Sequence, residues 1–131
     1  MRSLSLVIIF SVAVAGCNDL GGSDGVYPMS VDKARSKLLA ANFARGILPG
    51  SSILKPKAQT NHHDGTLEWT VLDDSENGSG WWCPFRIEPA GEDGKSARVI
   101  NECRGMLASK NNADLDELVD ATLTGREPKF D

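Results

Sequence analysis

Histidine is almost missing from this chain. His62 and His63 are its only two, and they are adjacent. Neighbouring side chains on a strand point to opposite faces, so the pair does not readily supply two ligands to one ion. Neither an H-x-H nor an H-E-x-x-H spacing exists for a metal. His62-His63-Asp64 is therefore read as a polar hairpin tip. No run of five basic residues occurs, and acids outnumber bases 18 to 14, which argues against nucleic acid as a partner and against a polybasic lipid patch. A G-x-S-x-G elbow, a Walker loop and a dinucleotide fingerprint are all missing. The acids fall mostly in expected turns and at the start of the last expected helix, where a catalytic pair would not be held rigidly. Neither a cofactor nor a resident metal is expected, and the protein is read as non-catalytic. Asp73, Ser75 and Asn77 with Gly78 imitate the first half of a calcium loop, but Pro84 stands where the twelfth position needs a glutamate. A solvated loop is the better reading.

The longest apolar run, Leu4 to Val14, is shorter than the roughly 20 residues of a membrane-crossing helix. It follows Arg2, the only charge before Asp19, and has the length of a signal-peptide apolar region. It leads into Val14-Ala15-Gly16-Cys17. This aliphatic-small-small-Cys pattern resembles the lipobox of bacterial lipoproteins; the resemblance covers residues 1–17, and no family is recognised for the rest. It implies cleavage before Cys17 and acylation of the Cys17 thiol and new α-amino group. The chain would then be held at a membrane by several acyl chains. In that family an aspartate directly after the cysteine signals inner-membrane retention; here the residue is Asn18. The resemblance thus implies the periplasmic side of the outer membrane, with the inner membrane or a free periplasmic form as alternatives.

Losing residues 1–16 removes Arg2 and takes the formal charge from −4 to −5. With Cys17 acylated, Cys83 and Cys103 remain, and an even pair in an oxidising compartment reads as a disulfide.

Residues 17–27 read as the lipidated cysteine and a flexible tether, 28–126 as one domain, and 127–131 as a tail. Ser30 is an N-cap candidate and Asp32 an acid in the first turn. Val31, Ala34, Leu38 and Ala41 share one helical face, and Gly46 is the expected stop. Lys33, Arg35 and Lys37 read as a solvated face. Asp64-Gly65 is a hairpin signal; placed at the turn, it sets Ala58 opposite Val71, Thr60 opposite Trp69 and His62 opposite Leu67. A second hairpin follows across "WWCPFRIEPAGEDGKSARVINECRG". Setting Cys83 opposite Cys103 pairs Ile87 with Val99, Phe85 with Asn101 and Glu88 with Arg98, and puts Arg86 diagonal to Glu102. Pro84 cannot donate to a ladder, so its strand is expected at an edge, bulged, or paired on one side only there. A last helix runs from Asn112 to about Leu123, capped by Asn111 or Asn112, with Gly125 as its stop. The expectation is an α+β fold: a four-stranded antiparallel sheet of two hairpins, an N-terminal and a C-terminal helix on its apolar face, and one disulfide.

This register sends Trp81, Cys83, Phe85 and Ile87 toward the helices. Trp82, Arg86, Arg98, Ile100 and Arg104 lie on the opposite face. Trp and Arg dominate binding hot spots, and guanidinium groups beside an indole can make cation–π contacts. A tryptophan is more often covered, here by a helix or the 47–56 segment, so the exposure of Trp82 discriminates. The leading reading is a membrane-tethered, non-catalytic binding or scaffold module whose partner is an envelope protein. The alternative is an inhibitor or small-ligand-binding lipoprotein. Small periplasmic lysozyme-inhibitor lipoproteins are similar in anchor and disulfide but are all-β, which the two expected helices are not.

Overall fold

A computed structural model describes residues 25–50, 52–73 and 80–130. The lipobox, Cys17 and the segment up to Asp24 lie outside the described residues, as do positions 74–79 of the calcium-loop imitation. The elements in chain order are β1 (Val26–Tyr27), α1 (Val31–Ala40), β2 (Lys55–Thr60), β3 (Leu67–Leu72), β4 (Gly80–Ala90), β5 (Ser96–Asn101) and α2 (Ala108–Thr124). The fold is α+β, with five antiparallel strands in the order β1-β5-β4-β3-β2 rather than four. The additional strand comes from the span read as tether. Val26 pairs with Arg98 and Tyr27 with Ala97. Tyr27 is buried and donates its hydroxyl to Asp120 of α2 at 3.1 Å.

Alternation along the strands sorts side chains into two layers. Ala58, Leu67, Trp69, Val71, Cys83, Phe85, Ala97 and Val99 point inward and meet Ala34 and Leu38 of α1 and Leu115, Leu118, Val119 and Leu123 of α2. Trp69 is fully buried between Phe43 and Phe85, at centroid distances of 6.0 and 5.4 Å. Both helices pack on this one face.

The β4–β5 register agrees with the expected pairing, from Phe85 with Asn101 to Glu88 with Arg98. The β2–β3 register does not: Ala58 pairs with Trp69 and Thr60 with Leu67, two residues off the expectation. The cause is a wider tip. Asn61 N–H donates to the Thr66 carbonyl at 2.7 Å and Gly65 N–H to the Asn61 carbonyl at 2.9 Å, closing a four-residue loop. Asn61 Oδ1 accepts from His63 N–H, and Asp64 Oδ1 accepts from both Thr66 N–H and its hydroxyl. An even shift preserves which side chain faces which layer, so the core assignment survives the slip.

The helix boundaries also move. Ser30 Oγ caps α1 by accepting from Lys33 N–H at 3.1 Å, but α1 ends at Ala40, and Ala41 is extended rather than helical. Phe43 reaches Trp69 from the following loop. α2 begins at Ala108, a turn earlier than expected, without a side-chain cap. Asn112 Oδ1 accepts instead from Cys103 N–H at 2.8 Å, which ties the helix to the disulfide. Gly125 ends α2 at φ 73°. Within the expected tail, Glu117 accepts from Lys129 N–H at 2.6 Å and Phe130 packs against the core.

Candidate functional site: the uncovered sheet face

The sheet face away from the helices carries the side chains of interest. Trp82 pairs with Thr70, and Thr70 with Lys57, forming one row across β4, β3 and β2. Trp82 is 67% exposed, whereas Trp81 is partly buried against the core. No helix covers Trp82. The 47–56 segment, the other candidate cover, buries Leu48 and Pro56 elsewhere and leaves Ile53 exposed.

Pro84 sits in β4, a central strand, so the expected edge or bulge is replaced by the third option, one-sided pairing. Its carbonyl accepts from Glu102 N–H at 2.9 Å. The return bond would need an N–H that proline lacks, and β5 ends at Asn101. One residue earlier, the Cys83–Cys103 disulfide joins the two segments with a Cα–Cα distance of 4.5 Å, the spacing of a non-hydrogen-bonded antiparallel pair. A covalent bond thus holds the chains together where the ladder gives out. It also fixes Arg104, which follows Cys103, alongside Trp82.

Trp82, Pro84, Arg104, Glu68, Asn61 and Thr66 line a shallow depression of about 340 Å³. Both oxygens of Glu68 are engaged, one by Gln59 Nε2 at 2.8 Å and one by Asn61 Nδ2 at 2.9 Å. An adjoining depression of about 490 Å³ includes Arg86, Glu102, Arg104 and Arg35. Arg86 bonds Glu102 at 2.8 Å and Glu88 at 3.3 Å. Those carboxylates hold its guanidinium above the ordinary arginine pKa, the Glu88 hydrogen bond contributing most. The expected Arg86–Glu102 pair is present. Glu88, however, engages Arg86 rather than its register partner Arg98.

The structure therefore brings Trp82, Arg86 and Arg104 into one region. Ile100 lies opposite Arg86 on β5 and is half-buried. Arg98 stands apart. It is three rows from Trp82 on the same face, or about 20 Å at strand spacing, and is exposed beside Val26 of β1. No ring contact involving Trp82 forms among the described residues; the paired rings, which are tilted to one another, are those around Trp69.

Sequence reasoning missed Glu68, Asn61 and Thr66 as neighbours of Trp82. Finding them required the pairing of β3 with β4 (Glu68 with Pro84, Thr70 with Trp82), and the seven-residue link between those strands, positions 73–79, does not by its length fix that register. It also missed Met106 and Leu107, both exposed, which fell in an unassigned link.

His62 and His63 are exposed in the hairpin tip, on the periphery of this face. Among the described residues, no three His, Cys, Asp or Glu side chains gather as metal ligands. A separate depression of about 470 Å³ lies between the Gly46–Gly50 loop and Phe130, and none of its lining side chains is titratable. No described helix is long and apolar enough to cross a membrane.

Neither a protein-family model, nor a curated protein, nor a solved structure matches the chain.

Proposed function

We propose that the protein is a lipoprotein, acylated at Cys17 and tethered on the periplasmic side of the outer membrane. In this reading it acts without catalysis, as a binding or scaffold module for an envelope protein. The contact surface is the outward sheet face, with Trp82 as anchor and Arg104 and Arg86 beside it. Arg98 and Ile100 extend that surface along β5.

One observation carries the reading: Trp82 presents two thirds of its surface to solvent on a rigid sheet face. A large aromatic ring held by a central strand loses little conformational freedom on binding, which suits a hot spot. Arg104 supports it as a cation with no carboxylate partner among the described residues. Arg86, already clasped by two glutamates, would contribute shape and orientation more than charge.

The test is crosslinking in intact cells followed by mass spectrometry, comparing the wild type with Trp82→Ala. A specific envelope partner that is lost in the variant supports the module and its face. The same partner captured equally by both proteins, or no partner at all, overturns the assignment to this face.

A further inference from the structure

The depression beside Trp82 has a lining that discriminates among ligands. Trp82 is 67% exposed at one end of it. The next outward row is Pro84 paired with Glu68. The β2–β3 tip adds Asn61, Asp64 and Thr66, and Arg104 closes the β5 side. Leu67 pairs with Phe85, so Thr66 lies at the level of Arg86, four strand residues from Trp82, or about 13 Å. The depression is therefore an open trough, and its 340 Å³ falls at the small end of the range for small-molecule sites.

Its polar groups are fixed in place without being saturated. Glu68 is held on both oxygens, by Gln59 Nε2 at 2.8 Å and by Asn61 Nδ2 at 2.9 Å, and each oxygen keeps a second lone pair. Asn61 Oδ1 accepts from His63 N–H at 2.8 Å, which sets the amide and leaves one Nδ2 proton over. Asp64 Oδ1 accepts from both Thr66 N–H and its hydroxyl, while Oδ2 takes no bond from another residue among those described. The Thr66 hydroxyl, more than any other cause, holds Asp64 below its ordinary value of 3.8, so Asp64 is an acceptor at neutral pH. Arg104 is exposed, and its guanidinium donors are not engaged among the described residues. Acceptors and donors thus lie together beside one aromatic ring.

This mixture disfavours three classes of ligand. An apolar side chain or lipid finds only Trp82 and Pro84, whereas sites for apolar ligands are lined mainly by hydrophobic groups. An anion meets Asp64 and Glu68. A cation over the indole meets Arg104, which the disulfide sets alongside Trp82. A neutral polyhydroxylated ring meets none of these objections. A pyranose has a face of weakly positive C–H groups that stacks on the negative face of an indole. Its rim of hydroxyls both donates and accepts, so adjacent hydroxyls match a carboxylate on one side and an amide or guanidinium on the other. Groups already held in position lose little freedom on binding.

We infer that Trp82, Glu68, Asn61 and Arg104 form a binding site for a neutral saccharide. Trp82 is the stacking platform, and Glu68 is the fixed acceptor for hydroxyls. The site goes beyond the protein contact proposed above and does not rest on it; the two ligands share Trp82 and so exclude one another.

Titration of the full chain, kept in a detergent without a sugar headgroup, tests the inference. The probes are cellotetraose and its N-acetylated amino-sugar counterpart chitotetraose, with tetragalacturonate and the glucosamine tetramer as anionic and cationic controls. Trp69 is fully buried and Trp81 partly so, so a change in tryptophan emission reports chiefly on Trp82; calorimetry reads binding in the variants. Saturable binding of a neutral tetramer with a shift in emission is the expected result. Trp82→Ala should weaken it by about tenfold or more, and Trp82→Phe, which keeps a ring face, should recover most of the loss. Glu68→Gln should weaken it by about fivefold. Binding of both neutral tetramers supports recognition of the pyranose chain itself, and binding of chitotetraose alone supports an N-acetylated amino-sugar chain. Binding of tetragalacturonate or the glucosamine tetramer without the neutral probes would overturn the neutral class. No saturable binding by any probe, or binding that Trp82→Ala leaves intact, would overturn the site. Because this titration needs no protein partner, its failure leaves the protein contact standing, and failure of the crosslinking test leaves the saccharide site standing.

Discussion

Trp69 donates its indole N–H to Asn101 Oδ1 at 2.8 Å, and Asn101 Nδ2 donates onward to Asp116 Oδ1 at the same distance. The largest ring of the core is thereby linked through the end of β5 to α2. Trp69 is completely buried, so no water can replace a lost partner without opening the core. Asn101→Ala is expected to cost about 1–3 kcal/mol, the usual penalty for stranding a buried donor. Trp69→Phe removes the donor as well as some packing. In urea denaturation, the double variant should lose less than the sum of the two single variants, because they share one bond. Strict additivity would show that Asn101 is not Trp69's effective partner.

The disulfide does more than shorten the unfolded chain. It closes a sequence separation of 20 residues, which in the chain-entropy model corresponds to about 3 kcal/mol. It also lies next to Pro84, where the ladder has only the single bond from Glu102. Cys83→Ala with Cys103→Ala should therefore lower stability by about 3 kcal/mol. Hydrogen exchange should quicken first at Glu102 and Cys103, ahead of the β3–β4 amides. Uniform loosening of the whole sheet would argue against a local clasp.

Adjacent tryptophans provide a direct contrast. Trp82 contributes little to the core, so Trp82→Thr, which retains β-propensity, should alter stability by no more than about 0.5 kcal/mol. Trp81 packs against the core, and Trp81→Thr should cost about 2 kcal/mol or more through the cavity it leaves. Thermal melts of the two variants decide this. A large loss at Trp82 would mean that the ring supports the fold, and would remove the reason to treat it as a binding residue.

What could be read from the sequence divides along physical lines. The β4–β5 hairpin was legible because three signals agreed: alternation over a long strand, a cysteine pair in register, and the diagonal Arg86–Glu102 pair that is present at 2.8 Å. The β2–β3 register slipped because Asp64-Gly65 suits a two-residue turn, while the Asn61 and Asp64 side chains stabilise a wider loop, and such local hydrogen bonding leaves no periodic trace. β1 was hidden for another reason. Two residues are too few to show alternation, and Tyr27 owes its burial to β5 and Asp120 rather than to its sequence neighbours. The outward aim of Trp82 followed from strand parity alone, but its exposure did not. That depended on where the helices and the 47–56 segment packed.

Acid should release the C-terminal segment before it unfolds the sheet. Arg126 forms a two-pronged pair with Glu117 at 2.6 and 3.0 Å and also bonds Asp120, while Glu117 accepts from Lys129 N–H at 2.6 Å. The Arg126 hydrogen bonds, more than any other cause, hold Glu117 below its ordinary value of 4.5. A depressed carboxylate pKa contributes stability that is fully present above 4.5 and is lost as pH falls through the folded-state value. Asp116 works the other way: burial, opposed by the Asn101 hydrogen bond, lifts it above 3.8. Its contribution favours the fold in acid and fades as pH rises through the raised value. Glu117→Gln should therefore be less stable than the wild type at pH 7, with the gap closing as pH falls below about 4.5. Asp116→Asn, which keeps an acceptor for Asn101, should be more stable than the wild type at pH 7 and equal to it in acid. Urea midpoints measured from pH 3 to 7 test both signs together. A gap for Glu117→Gln that stays constant across that range would mean that the Arg126 clasp contributes through packing of the segment around Phe130, and not through charge.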